Sequence, residues 1–253
     1  MINKDNLVHI IEEFNRLVIP IEDTRGKEYN SREVASYIDH TLLKADATGS
    51  EIIKLCSEAK KYDFASVCVN PVNVDLCTQE LFGSTVKICT VIGFPLGANE
   101  TATKLAEAEL AISSGAAEID MVINIGRLKD NDQNFVFTEI SSLANLCHKN
   151  SAILKVIIET ALISDEEKVL VCLLSTDAKA DFVKTSTGFS KSGANIRDVA
   201  LMKFSVGNKA KVKASGGVRS YEEAVLMILN GASRLGTSSG IQIIEKSLST
   251  SNY

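Results

Sequence analysis

From about residue 36 onward, short apolar runs alternate with amphipathic helical stretches, and this alternation restricts the chain to folds built on a parallel sheet. The strand candidates are Ser36–His40, Phe64–Val69, Val86–Ile92, Glu118–Asn124, Ile153–Glu159, Asp181–Thr185, Lys211–Ala214 and Ser233–Gly236. They are short, often β-branched and bounded by Gly, Asn or Ser, as buried parallel strands are. Helical patterns lie between them. One spans Thr48–Tyr62, and another, Glu100–Ser113, carries Ala102, Leu105, Ala106, Glu109 and Leu110 at helical spacing. Ser164–Ser175 and Ser220–Leu229 each open on a serine followed by acidic residues, a start signal. Eight strand–helix units between residues 36 and 253 fill a (β/α)8 TIM barrel and leave no room for a second domain. A doubly wound open sheet is the rival. It announces itself with a Gly-rich turn after its first strand, and Asp39-His40-Thr41-Leu42-Leu43 is nothing like one.

Residues 1–35 are then an N-terminal helical extension to the barrel domain, 36–253. Leu7, Ile10, Ile11, Phe14 and Leu17 fall on one face of this extra helix. That face either plugs the bottom of the barrel or meets a second subunit of a homodimer, and the sequence leaves both open.

A chain that is 45% hydrophobic and 23% charged has ample material for one large core and too little polarity for long disorder. Its net charge of -5 argues against nucleic acid or an anionic membrane as the main partner. No run of about 18 apolar residues exists to span a bilayer, and Met1–Ile19 lacks the apolar centre of a secretory signal. The six cysteines form no C-x-x-C pair, which fits reduced, buried thiols of a cytoplasmic protein. His9, His40 and His148 are scattered without ligand spacing, so no metal site is expected.

The strongest functional signal is charge where a barrel interior should be apolar. Side chains alternate across a strand, so Lys155, Ile157 and Glu159 share one face of the fifth strand. Phe182, Lys184 and Ser186 share a face of the sixth, and Lys211, Lys213 and Ser215 one of the seventh. Asp120, Val122 and Asn124 share a face of the fourth, and Asp39 sits in the first. A buried ammonium is costly unless paired. A structural ion pair would explain any one of Lys155, Lys184 and Lys213; together with Asp39 and Asp120 they point to an active site. A barrel carries that site at its C-terminal strand ends, where Lys184 and Lys213 lie. Two ammonium groups held close in a partly desolvated pocket depress one another's pKa, which frees a neutral amine to attack a carbonyl and form a Schiff base. Asp120 is placed to neutralise one of them and to shuttle a proton.

A second signal is a phosphate cradle. Gly216-Gly217 follows the seventh strand, and Gly236-Thr237-Ser238-Ser239-Gly240 follows the eighth and opens a helix. Loops after these two strands form the usual phosphate site of such barrels, with backbone N–H groups and serine hydroxyls as donors. Each stretch alone would pass for a helix-entry turn. Gly93-Phe94-Pro95-Leu96-Gly97 reads as a substrate-side loop or a plain turn. Cys68, ending the second strand, either lines the pocket or is a small core residue.

Six motifs resemble the deoxyribose-phosphate aldolase family. They are Ile38-Asp39-His40-Thr41, Val91-Ile92-Gly93-Phe94-Pro95-Leu96-Gly97, Glu118-Ile119-Asp120-Met121-Val122-Ile123-Asn124, Leu154-Lys155-Val156-Ile157-Ile158-Glu159-Thr160, Val183-Lys184-Thr185-Ser186-Thr187-Gly188 and Val212-Lys213-Ala214-Ser215-Gly216-Gly217-Val218-Arg219. They stand in order from about residue 36 to 240. The resemblance implies a class I aldolase without a cofactor, splitting 2-deoxy-D-ribose 5-phosphate into D-glyceraldehyde 3-phosphate and acetaldehyde. It implies Lys184 as the Schiff-base lysine and Lys213 as the neighbour that lowers its pKa. Asp120 would be the acid/base partner, and Lys155 and Asp39 supporting members of the polar network. Gly188, Gly216, Gly217, Gly236, Ser238 and Ser239 resemble the phosphate-binding set. Some members carry a lysine where this chain has Phe189, and Lys191 is a candidate substitute. Some members also end, like this chain at Tyr253, in a tyrosine whose tail enters the pocket and aids proton exchange. Rival readings are another Schiff-base barrel aldolase acting on a phosphorylated sugar, and a catalytically dead barrel kept for binding. The presence of all three interior lysines argues against the second.

Overall fold

The computed structural model describes residues 2–25 and 29–246. The chain runs α1 (Lys4–Leu17), α2 (Ser31–Ala35), β1 (Ile38–Leu42), α3 (Gly49–Tyr62), β2 (Ser66–Val69), α4 (Val74–Glu80) and β3 (Lys87–Ile92). It continues through α5 (Thr101–Ser113), β4 (Glu118–Val122), α6 (Ile125–Lys129), α7 (Gln133–Lys149), β5 (Ile153–Ile157), α8 (Asp165–Asp177) and β6 (Phe182–Lys184). It ends with α9 (Ile196–Val206), β7 (Lys211–Ser215), α10 (Tyr221–Leu229), β8 (Ala232–Thr237) and α11 (Gly240–Glu245). All eight strands are parallel, and β8 pairs with β1 to close a barrel. This is the (β/α)8 architecture that the alternation predicts.

Local chemistry sets where the helices begin. Thr48, Ser164 and Ser220 each accept a hydrogen bond from the backbone N–H three residues on, while Glu51, Glu167 and Glu223 reach back to the cap, satisfying donors the helix leaves unpaired. The strands are buried on both faces because the inner face fills the barrel and the outer face meets the helices; β2 and β4 are buried throughout.

The residues noted at helical spacing in α5 do not mark its buried face. Leu110 is 70% exposed, and the helix buries Lys104, Ala108 and Ala111 instead. Lys104 can face inward because its ammonium donates to Val122 O at 2.8 Å and pairs with Glu139 at 2.9 Å. A buried charge with partners competes successfully with an apolar stripe.

α1 lies across α8 and α9, on the outer layer rather than under the barrel. Leu7 and Phe14 are buried there, whereas Leu17, at the C-terminal end of the predicted face, is exposed. The Phe14 ring sits 5.8 Å from that of Phe204, with the Arg197 guanidinium 5.6 Å from its centroid. Among the described residues no helix is long and apolar enough to cross a membrane. Phe14→Ala removes a buried aromatic from this seam and is expected to lower stability by about 3 kcal/mol. A denaturant midpoint within about 0.5 kcal/mol of the parent would show that α1 is not part of the folding unit.

Candidate active site

Strand register brings the interior charges together. Asp120 stands beside Lys155 across β4 and β5, and Lys184 beside Lys213 across β6 and β7. Asp120 is fully buried and its carboxylate is shared on both oxygens. Oδ2 accepts from Lys184 Nζ at 2.8 Å and Lys213 Nζ at 2.7 Å. Oδ1 accepts from Lys155 Nζ at 2.8 Å and from the Cys89 thiol at 3.1 Å. Lys213 also meets Asp39 Oδ2 at 2.5 Å, an ion-pair contact without hydrogen-bond alignment. The sequence-predicted set of Asp39, Asp120, Lys155, Lys184 and Lys213 is thus one connected network.

Two members were missed. Glu118 pairs with Lys155 at 2.6 Å, and Arg234 donates to Asp39 Oδ1 at 2.6 Å and to Glu118 at 2.7 Å. The alternation rule already held the clue for both: Glu118 is two residues from Asp120, and Arg234 two from Gly236, so each shares an inward face.

Burial alone would raise the Asp120 carboxyl, but the attraction of Lys155, Lys184 and Lys213 outweighs it and holds the group well below the usual carboxylate range. Asp39 is lowered in the same way, its burial outweighed by Lys213, Arg234 and Lys155. The mutual depression expected of neighbouring lysines does not reach Lys213. Burial pulls it down, yet Asp120 and Asp39 attract it more strongly and hold it above the ordinary lysine value. Lys155 is raised for the same reason. Lys213 is therefore a fixed cation.

Above this network lies a cavity of about 400 Å³ at the C-terminal ends of the strands. Lys184 closes its floor, 3% exposed, while Lys155, Lys213, Asp39 and Asp120 lie beneath. Gly188, Gly216, Gly217, Gly236 and Ser238 line it as predicted. Ser239 and Cys68 do not. Ser239 is buried at the cap of α11, and Cys68 packs with Leu43, Cys89 and Val91 inside the barrel. Both glycine loops need their missing side chains. A Cβ on Gly193 would meet Gly216 O at 2.0 Å, and one on Gly236 would press on the Lys213 stem at 3.1 Å. Lys191 and Arg219 also line the cavity, and the side chain of neither forms an ion pair or hydrogen bond with another described residue. Phe189 stands at the rim, edge-on to Phe94 at 5.3 Å. Tyr253 lies outside the described residues.

Acidic and thiol groups that could hold a metal ion occur as Cys68, Cys89 and Asp120, and as Asp39, Cys89 and Glu118. Their carboxylates already bind lysine or arginine, and an ion there would have to displace those cations.

A polar cavity floored by one lysine on a buried carboxylate is the geometry of a carbonyl-directed amine. The DeoC/LacD family aldolase model matches residues 33–246. The chain belongs to that family. It is 56% identical to the deoxyribose-phosphate aldolase of Geobacillus sp. (strain WCH70), over 87% of this chain and 98% of that one. It is 54% identical to the deoxyribose-phosphate aldolase of Clostridium perfringens (strain 13 / Type A), covering 88% and 100%. The solved deoxyribose phosphate aldolase from Aeropyrum pernix, a tetramer, is 33% identical and superposes with a TM-score of 0.80, covering 96% of this chain and 97% of that one. This family member is an aldolase on a TIM barrel.

The network also sets how the fold responds to pH. Asp39 and Asp120 titrate below their unfolded values, so their stabilisation is present above about pH 4 and is lost as pH falls through the depressed folded values. Lys155 and Lys213 titrate above theirs, so their contribution is present below about pH 10 and is lost only as pH rises through the raised values. The thermal midpoint should hold steady between about pH 5 and about pH 9 and fall in acid. A midpoint that rises on acidification below about pH 4 would contradict the assigned ion pairs.

Proposed function

We propose that this family member is a metal-independent class I aldolase that reversibly cleaves 2-deoxy-D-ribose 5-phosphate, with residues 36–253 as the catalytic barrel and 1–35 as a helical extension. The observation that carries this reading is the position of Lys184. Among the described residues it is the lysine that both lines the cavity and contacts Asp120.

In the cleavage direction, neutral Lys184 attacks C1 of the open-chain sugar, and loss of water gives an iminium. Asp120 Oδ2, 2.8 Å from Nζ, is placed to pass protons to and from the amine. A base, Asp120 acting through water with Lys213, removes the C3 hydroxyl proton. The C2–C3 bond then breaks, its electron pair passing into the iminium to leave an enamine as D-glyceraldehyde 3-phosphate departs. Protonation at C2 and hydrolysis release acetaldehyde and restore the amine. The iminium is the electron sink, so no Lewis acid is required. Lys155 and Asp39 hold Asp120 and Lys213 in place.

The phosphate is held by the backbone of Gly188, Gly216, Gly217 and Gly236 and by Ser238, with Ser239 supporting the loop from below. Lys191 and Arg219 supply the positive charge that Phe189 does not. Anchoring the distant end of the sugar orients the bond to be broken. The cytoplasm suits the protein, because its six cysteines are free thiols, as a reducing compartment keeps them. A homodimer is the assembly proposed; the solved Aeropyrum pernix relative is a tetramer.

Borohydride added with acetaldehyde should trap an adduct on Lys184 alone, located by peptide mass mapping. Labelling of Lys155 or Lys213 would overturn the assignment. Lys184→Arg should abolish acetaldehyde release from 2-deoxyribose 5-phosphate, since a guanidinium stays protonated. Failure of the parent chain to release acetaldehyde, with trapping intact, would favour a different sugar phosphate.

Tyr253 is proposed as a tethered acid/base for exchange at C2 of the enamine. Tyr253→Phe in deuterated water should slow exchange of the acetaldehyde C2 protons while leaving Schiff-base formation unchanged. Exchange and cleavage at the parental rate would leave the residue no catalytic role.

A further inference from the structure

The charge network beneath the cavity extends beyond the residues that the reaction uses. Its carboxylates are Asp39, Glu118 and Asp120; its cations other than Lys184 are Lys155, Lys213 and Arg234. These charges are equal and opposite. With Lys184 uncharged the network is electrically neutral, and with Lys184 protonated it holds one surplus positive charge, at the cavity floor. Such a surplus is costly in a low-dielectric interior.

Each cation except Lys184 is shared between at least two carboxylates, Lys155 reaching Asp39 as well at 4.0 Å. Lys155 bridges Asp120 at 2.8 Å and Glu118 at 2.6 Å. Lys213 bridges Asp120 at 2.7 Å and Asp39 at 2.5 Å. Arg234 bridges Asp39 at 2.6 Å and Glu118 at 2.7 Å. The three carboxylates and three cations therefore form a closed ring, and Lys184 hangs from one corner of it, on Asp120. Asp120 Oδ2 is already held by the fixed cation Lys213. The amine facing the cavity is thus the one cation of the cluster that stands outside the balanced ring.

We infer that Glu118 and Arg234 are positioning residues that set the charge balance of the ring and so the pH at which Lys184 is available as an amine. Neither lines the cavity, and each acts through Asp120 or its immediate partners. Burial works against the Arg234 guanidinium, but Asp39 and Glu118 hold it charged.

Other ionisable groups face the network without joining the ring. The thiols of Cys68 on β2 and Cys89 on β3 lie beside it, and burial pushes Cys89 well above the ordinary thiol value, leaving it uncharged. Glu159, after β5, spends its carboxylate on Thr187 N and Oγ1 and forms no ion pair with another described residue. His40 on β1 points out of the barrel to Glu58 at 2.8 Å.

This inference rests on Lys184 being the Schiff-base lysine, and the experiment separates the two. The acidic limb of kcat/KM against pH is measured for the parent, Glu118→Gln, Arg234→Gln and the double variant, with borohydride trapping run on each. Glu118→Gln makes the ring more positive and should move the limb down by about one pH unit; Arg234→Gln makes it more negative and should move it up by a similar amount. The double variant removes one charge of each sign and should return the limb to the parental position. A merely structural role would lower rates in all three without opposite displacements. Limbs that stay in place, or move in the same direction, with Lys184 still the labelled residue would overturn the inference. Labelling elsewhere in the parent would instead overturn the function proposed above. Should Arg234→Gln not fold, Glu118→Gln decides, since it leaves Lys155 its contact with Asp120: a lowered limb supports the inference, and an unmoved or raised one refutes it.

Discussion

Three lysines from different strands converge on the carboxylate of Asp120, and the rest of the site is arranged around that contact. Each ammonium loses its hydration on entering the barrel, a cost of several kcal/mol that only close opposite charge offsets. One carboxylate cannot offset three cations. Asp39 and Glu118 share that load, and Arg234 links the two of them. Removing one partner from such a network typically costs about 3–5 kcal/mol, because the remaining charges stay buried. The ion-pair set thus constrains register. A slip of one residue on β4, β5, β6 or β7 would turn a charged side chain out into the apolar layer against the helices.

The same arrangement separates holding from reacting. Lys155 and Lys213 sit within the barrel between pairs of carboxylates, and their surroundings favour the charged form. Lys184 is the last residue of β6, where the strand gives way to the loop and the cavity begins. It touches one carboxylate from below and faces the substrate space above. On the function proposed, the side chain with the fewest electrostatic ties is the one that changes its bonding, while its neighbours stay in place as charges. The glycines of the loops after β6, β7 and β8 complete this division. Their missing side chains let the Gly193 and Gly216 backbones touch and leave room for the Lys213 stem beside Gly236.

Much of this was legible in the chain itself. Short β-branched runs separated by Ser- or Thr-capped helices determine a closed (β/α)8 barrel, because strands buried on both faces need helices outside and side chains within. The alternation of side chains across strands was enough to pick out Asp39, Asp120, Lys155, Lys184 and Lys213 as inward charges, since a charge at an inward position has no apolar explanation. The glycines after the seventh strand, with Gly236 and Ser238 at the eighth, mark the cavity wall for the same positional reason.

Contacts between distant strands decided the remainder. Glu118 and Arg234 obey the same alternation as the residues that were recognised, but each opens its strand's inward set, and only closure of β8 onto β1 brings Arg234 to Asp39 and Glu118. The helical pattern of α5 does not reveal its buried face, because the partners of Lys104, Glu139 and Val122 O, lie on other elements and make burial of an ammonium tolerable. Cys68 and Ser239 look like pocket residues by position, yet packing against Leu43, Cys89 and Val91, and the turn into α11, withdraw them from the cavity. Local pattern determines which residues face inward, because that depends on backbone geometry alone. Which inward charges pair, and which one faces the cavity, depends on three-dimensional distance, and that exists only once the barrel has closed.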